Sequence, residues 1–541
     1  VRIFLHPRNS LLLFAQFILC LTISTVAQGE APSLTRLYPC GGSLGTTVAV
    51  TASGKFPTWP VQVDCHPAGL QWKPAAENGK FEVSIPSDAK EGIYLVRFYD
   101  AAGASSCKRF IVDHWPQLQE VEPNNVIGKS LAIPAIPHIV YGVLEKGGDV
   151  DVVRCTIAEG QTLVATLDAN RVLRSPLDAL LQVVDAKGNT LAQNIDAHGL
   201  DPQVVFKPKK AGDYFVRIMG FPESPDSTIG FVGNENCQYR LTLSAGPHLE
   251  GSLPLAVQAG QTTTLQAKGW NIPTEPIQWS VTPEAELREI LLTHPTATGH
   301  LMLPVVPHPS TLEPAAADAP PLALPSTISG SISKPGEKDT VRFTAPADKT
   351  WRFSVESKSI GYSLDPLVLI QDSAGKTLQK TDDTGENRDP QFNWKAPAAG
   401  DYQLVIQDAE EQGSELHLYR ITIQEVTPEV LIKSEADHVE GKVGMPLEVK
   451  FTVERKDGFA EPLQLEIVPN TVTPLPTDWM VTSTTSTNEG EAAKQVTLTI
   501  NAPQAFSGKL KVLARSSTNS TTYPVISGAE SSESLWLTVT P

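Results

Sequence analysis

The chain has 541 residues, 41% hydrophobic and 19% charged; 43 Lys and Arg against 60 Asp and Glu leave a formal net charge of −17. That acidity excludes a nucleic-acid binder, which needs dense Lys/Arg contacts to phosphate, and docking on an anionic membrane face. The 38 Gly and 44 Pro punctuate the sequence too often for long helices, and six Cys in this length make no disulfide scaffold.

Arg2 and Arg8 precede an apolar run from Leu11 to Val26, closed by the small residues of Thr25-Val26-Ala27. This reads as a signal peptide over 1–27. The run is shorter than the roughly 20 residues a spanning helix needs; an uncleaved anchor is the alternative. The expectation is an exported protein, periplasmic, extracellular or at the cell surface, with no membrane span in the mature chain.

Residues 30–116 carry short runs with β character: Thr47–Thr51, Phe81–Ile85, Gly92–Phe98 and Phe110–Val112. They predict a small immunoglobulin-like sandwich. Residues 118–246 alternate apolar and polar side chains, as in Val153, Cys155 and Ile157 against Arg154 and Thr156, the period of strands with one buried face. Asp185-Ala186-Lys187-Gly188 sits between apolar runs as a hairpin turn does. This segment predicts a jelly roll of about eight antiparallel strands.

The pattern then recurs. Pro39, Gly45 and Gly54 match Pro254, Gly260 and Gly269, so 247–312 reads as a shortened second immunoglobulin-like unit. A Pro/Ala-rich linker is expected over 313–325. In 326–426, Gly330, Gly336 and Asp339 match Gly142, Gly148 and Asp151, Asp372–Gly375 matches Asp185–Gly188, and Tyr419–Ile423 matches Tyr239–Leu243. A second jelly roll follows from this. Strand-like runs Leu447–Val453, Val496–Ile500 and Leu535–Val539 predict a last immunoglobulin-like domain over 427–541. The fold class is all-β: two jelly rolls alternating with immunoglobulin-like sandwiches.

Further residues carry a resemblance. Glu120-Val121-Glu122-Pro123-Asn124-Asn125, Gly142-Val143-Leu144, Gly148-Asp149-Val150-Asp151, Ser175-Pro176-Leu177-Asp178, Gly212-Asp213-Tyr214 and Tyr239-Arg240-Leu241 resemble the bacterial pre-peptidase C-terminal (PPC) domain. The match spans about 120 residues in the first copy and about 105 in the second. The whole arrangement resembles large secreted proteins of planctomycete-type bacteria. The resemblance implies an accessory β-sandwich, which in some relatives binds calcium near its opening segment and in others binds collagen or other polymers. The peptidase domain such modules follow has no counterpart here, so proteolysis is not implied.

Hard cations want several oxygen ligands. Glu120, Glu122, Asn124 and Asn125, completed by Asp149 and Asp151, are the candidate calcium ligands, the alternative being a solvated strand start. The second copy keeps Glu313, Glu337 and Asp339 but lacks the Asn pair. Cys155 and Cys237 lie on the inward phase of the first and last strands of one jelly roll, candidates for a disulfide or for two buried thiols. His66 adjoins Cys65, but strand neighbours point to opposite faces, so no Cys–His dyad is expected. His294, His300 and His308 lack the spacing of a helical zinc pair. Gly-x-Ser-x-Gly, His-Glu-x-x-His and phosphate-loop motifs do not occur. The nine Trp read as core or junction plugs before they read as sugar platforms.

The leading expectation is a secreted, non-enzymatic modular binding or spacer protein, acting on an extracellular polymer or protein and stiffened by calcium. The rivals are an exported peptidase- or glycosidase-type hydrolase with its site in sandwich loops, and an accessory subunit of a separate secreted enzyme.

Overall fold

Alternation of side chains builds the molecule. In Thr350–Glu356 every second residue is buried, and Phe506–Ser516 repeats the pattern over eleven residues. Side chains of successive strand residues point to opposite faces, so each such strand offers one apolar face to a core. The computed structural model describes residues 29–221, 230–284, 287–314, 319–468, 478–529 and 532–541. The expected signal peptide lies outside the described residues. Among the described residues the helical elements are single turns, such as Asn170–Leu173 and Gly490–Ala493. No described helix is long and apolar enough to cross a membrane.

The first module packs two four-stranded sheets around Phe81, Phe98 and Phe110, with Trp59 and Trp72 edge-on to these rings. Among the described residues the third module is a six-stranded unit. It repeats a local device of the first: Leu34 pairs with Gly54, and Leu249 with Gly269, each next to a bulge in the same register. One of the matched glycine pairs, Gly54 and Gly269, therefore consists of bulge partners. Among the described residues the last module places nine strands between Glu429 and Thr540 around Phe451, Leu498 and Leu537.

The second and fourth modules share a strand order. In one, Gln203–Phe206, Leu163–Asp168, Gln238–Ser244, His138–Val143 and Gln117–Gln119 lie side by side; in the other, Gln391–Lys395, Thr350–Glu356, Leu418–Glu425, Ser326–Ser331 and Ser310–Leu312 do. The facing sheets run Val150–Ile157, Gly212–Gly220, Ala179–Val184, Thr190–Asn194 and Lys338–Ala345, Gly400–Asp408, Pro366–Gln371, Thr377–Thr381. The expected hairpin turns form as the sequence predicts. Asp185 Oδ1 accepts from the N–H groups of Lys187 and Asn189, Asp372 Oδ1 from those of Ala374 and Lys376, and Gly188 and Gly375 take φ of 85° and 81°.

Two features depart from expectation. Each of these modules carries parallel edge pairings the alternation did not signal: Gln117–Gln119 and Leu131–Ala132 in one, Ser310–Leu312 and a Leu322–Phe343 bridge in the other. They are one to three residues long, too short for a period to register. The 313–325 segment is also no free tether where described. Glu313 N–H bonds Ser329 O at 2.9 Å, and Leu322 and Leu324 pack on the fourth module's core.

The modules join through polar contacts at their seams. Arg240 meets Asp113 of the first module and, at 3.2 Å, Asp168 of its own. Its counterpart Arg420 pairs with Glu356 at 2.7 Å and donates to Leu255 O of the third module at 2.8 Å. The fourth and fifth modules meet at Arg352 and Asp457, 2.5 Å apart. The fifth returns to the first through Lys509 and Asp64, 2.8 Å apart.

Candidate functional site

The strand pair His138–Val143 and Gln238–Ser244 sets Tyr239 opposite Gly142. A Cβ at Gly142 would overlap the Tyr239 hydroxyl, so glycine there lets the phenol reach over the strand. That hydroxyl lies 2.8 Å from Asp151 Oδ2 and 3.1 Å from Glu120 Oε2. Single ligand atoms of Glu120, Glu122 and Asp151 fall within 4.8 Å of one another. Asn124 joins them: its Nδ2 donates to Glu120 Oε2 at 3.1 Å, and its backbone N–H donates to Glu122 Oε2 at 3.0 Å.

Burial pushes the Asp151 carboxyl up to about 10, with the Glu120 charge beside it as the next cause. Burial also raises Glu120, against hydrogen bonds that pull it down. Asp151 Oδ1 and Asn124 Oδ1 are buried without a hydrogen-bond partner. Two oxygens so placed are a cost unless something meets them.

Four of the six expected ligands therefore gather, and two do not. Asp149 Oδ2 accepts the Glu145 N–H at 2.8 Å, while Oδ1 takes Asn125 Nδ2 at 2.5 Å and its neighbour Val150 N–H at 3.1 Å. Asp149 precedes the strand, where a carboxylate is drawn into closing the turn, and it takes Asn125 with it. The missed member is Tyr239. The sequence shows it as one inward strand residue, and only its pairing with a glycine signals the reach of its hydroxyl.

No disulfide joins Cys155 and Cys237, both of which are buried in one core. Asp151 touches Tyr239, and Cys155 lies four residues further along its strand, about 13 Å at the usual rise. Cys237 lies two residues before Tyr239, at the other end. A disulfide needs Cα atoms about 4.4–6.8 Å apart.

The profile of the bacterial pre-peptidase C-terminal domain matches residues 149–220. The second module thus carries a PPC domain. A 99-residue stretch is 31% identical to a protein of Deinococcus radiodurans named "Probable subtilase-type serine protease", covering 18% of this chain and 14% of that protein. The chain therefore spans about a seventh of the relative it matches. The fibronectin(III)-like modules of Clostridium thermocellum CbhA are 12% identical, over 38% of this chain and 88% of theirs, at a TM-score of 0.13. The Bacteroides ovatus protein SGBP-B, solved with a mixed-linkage heptasaccharide, is 10% identical over 71% of this chain and 94% of its own, at 0.12. The matched PPC span includes Asp151 but neither Glu120, which follows the strand Gln117–Gln119, nor Tyr239, which lies in Gln238–Ser244.

The PPC module also meets the third module in a polar cavity of about 80 Å³ lined by Asp168, Arg171, His248, Glu250 and His300. Its groups are largely satisfied by one another. Trp270 Nε1 donates to Gln203 Oε1 at 3.1 Å, which turns the Gln203 amide nitrogen toward Glu250 and, at 2.9 Å, Thr166. Thr298 Oγ1 donates to Pro247 O, so His248 Nδ1–H donates to Thr298 at 2.9 Å and its Nε2 accepts from Thr166 at 3.3 Å. His198 Nε2 sits 3.2 Å from Glu250 Oε2. Burial would raise the Glu250 carboxyl, but the His198 bond holds it below its ordinary value. This is a junction network with no Ser or Cys nucleophile among its lining residues.

The other expected sites stay apart. His308 bonds Thr327 at 2.8 Å and His294 packs on Trp279, so neither approaches His300 as a metal ligand. Cys65 is half-buried and His66 exposed, on alternate faces of one strand. None of the nine Trp is exposed; Trp536 is covered by Tyr99 and Arg97 of the first module.

Proposed function

We propose that this is an exported, non-catalytic modular protein that binds or spaces an extracellular polymer or protein. The observation that carries the reading is how the buried charges are used. Arg240, Arg97, Arg420 and Glu250 all join one module to another, which suits a preformed scaffold; a hydrolase would turn such groups toward a nucleophile or a paired acid and base. Recognition belongs to the surfaces between modules. The cleft of about 620 Å³ between the first and last, lined by Asp64, His66, Tyr99, Lys509 and Glu533, is the seat offered here. The fourth module stands in this reading as a second PPC domain, in a chain of the secreted planctomycete-type arrangement. Purified protein is expected to be retained on an insoluble extracellular polymer and to show no turnover of polysaccharide or peptide substrates. Reproducible turnover, lost on substituting one residue, overturns the reading.

The orphaned oxygens favour a second element, calcium in the PPC module. Glu120, Glu122, Asp151 and Asn124 Oδ1 would hold it, an all-oxygen set that suits a hard cation. Tyr38 of the first module donates to Tyr141 O at 3.1 Å next to this cluster, so a bound ion would stiffen the seam as well as the sandwich.

A further inference from the structure

The fourth module rebuilds the hydroxyl-over-carboxyls arrangement with a different balance. Tyr419 stands opposite Gly330, where a Cβ would overlap its hydroxyl. That hydroxyl lies 2.8 Å from Glu313 Oε2 and 2.9 Å from Asp339 Oδ2. The two carboxyls also contact one another. Among the described residues the extra oxygens of the PPC module have no counterpart: Pro314 follows Glu313 where Val121 and Glu122 follow Glu120. No oxygen of Glu313 or Asp339 is buried without a partner.

Counting hydrogens decides what this pair holds. A phenol carries one hydrogen and can donate to one oxygen only. Two carboxylate oxygens under 3 Å from it, on carboxyls that also touch each other, cannot both be ionised acceptors: the second would face a lone pair and a like charge in a half-buried place. One further proton, on either carboxyl, removes the like charge and supplies the second donor, so that two of the three contacts become hydrogen bonds and the third no longer sets two anions together. We propose that Glu313 and Asp339 bind one proton between them at neutral pH under Tyr419, and that this proton latches the linker segment to the fourth module where the PPC module's counterpart is built to take a cation.

The groups that bear on the pair come from three strands and a turn. Glu313 Oε1 accepts the Ser331 N–H at 3.3 Å, and Tyr419 closes the top. Glu337 adds negative charge near Asp339 but is itself bonded to Ser333 Oγ at 2.8 Å and to Lys334 N–H at 2.9 Å. Burial, then the Glu313 contact, push the Asp339 carboxyl up to about 8. A carboxyl raised on folding keeps a proton the unfolded chain has released. The latch is therefore complete in the acid part of that window, weakens as pH rises toward 8, and is open above it.

Hydrogen exchange on the full chain tests this strand by strand. After correction for intrinsic exchange, protection of Ser326–Ser331 and Leu418–Glu425 is expected to fall ten- to a hundredfold from pH 6 to pH 8.5, relative to Leu447–Lys456 of the last module. Glu313→Gln keeps the shape and supplies a permanent N–H donor, so its protection is expected to stay flat; Asp339→Asn is the second variant, should the first fail to fold. Wild-type protection that does not change with pH overturns the proposal, as does a folded variant that loses protection in step with the wild type.

Discussion

Arg97 and Asp437 meet across 340 residues of chain, Nη2 to Oδ2 at 2.8 Å and Nη1 to the backbone carbonyl at 3.0 Å. Both side chains are largely buried, and Asp437 also accepts the Cys107 N–H. Desolvating an ion pair is costly, but removing one partner costs more, because the other charge stays buried alone. Arg97→Ala is expected to weaken docking of the last module by about 3 kcal/mol. Calorimetry should then show its unfolding separate from the rest, with faster proteolysis near residue 427; the double variant with Asp437→Ala should lose less than the two single losses combined. A single unchanged transition in Arg97→Ala would show that this contact does not hold the ends together.

Asp201 and Asp389 each hold a one-turn helix by its backbone. Asp389 accepts the N–H groups of Ser357, Lys358 and Ser359, and Asp201 those of Ala169, Asn170 and Arg171. Both aspartates are buried, so deletion leaves three backbone donors without their acceptor, and those of Ser357 and Ala169 belong to buried residues. Asp389→Ala should destabilise its module by about 2–3 kcal/mol. Asp389→Asn should recover little, since its amide nitrogen faces a donor. Denaturant titration followed by Trp394 fluorescence reads the loss.

Much of this architecture was legible in the sequence because its signals are local. Period-two runs, Asp-x-x-Gly turns and matched glycines each depend on a few neighbouring residues, and they place strands and turns correctly in both large sandwiches. Glu120, Glu122, Asn124 and Asp151 were legible as a cluster for the same reason. What escaped depends on the third dimension. Tyr239 and Tyr419 count as core by their phase, yet each carries its polar tip through the core to the carboxyls. Asp149 and Asp151 look equivalent in sequence, but one belongs to the turn and the other to the strand. The Arg97–Asp437 contact joins segments with no sequence relation at all.

His300 gives the acid side of the stability profile. Burial pushes its imidazole down to about 4, against the pull of Asp168. The unfolded chain takes up a proton below about pH 6.5 and the folded one only near 4. Stability at this junction is therefore full above pH 6.5 and lost as pH falls toward 4. His300→Gln should flatten the fall in melting temperature between pH 6.5 and 4.5 while changing little at pH 7.5. A variant that follows the wild-type acid limb would assign that limb to other groups, with the His198–Glu250–His248 network the next to examine.

Calcium separates two aspartates that lie two residues apart. If the orphaned Asp151 Oδ1 and Asn124 Oδ1 meet a cation, calcium should raise the melting temperature of the PPC module, and chelator should reverse the rise. At a hundredfold excess over the dissociation constant the gain is about 2.7 kcal/mol. Asp151→Asn should abolish the calcium-dependent shift. Asp149→Asn should lower the melting temperature with and without calcium by the same amount, because Asp149 serves the turn through the Glu145 N–H and Asn125. A shift lost equally in both variants would extend the ligand set to Asp149, and the absence of any wild-type shift would remove the cation from this site.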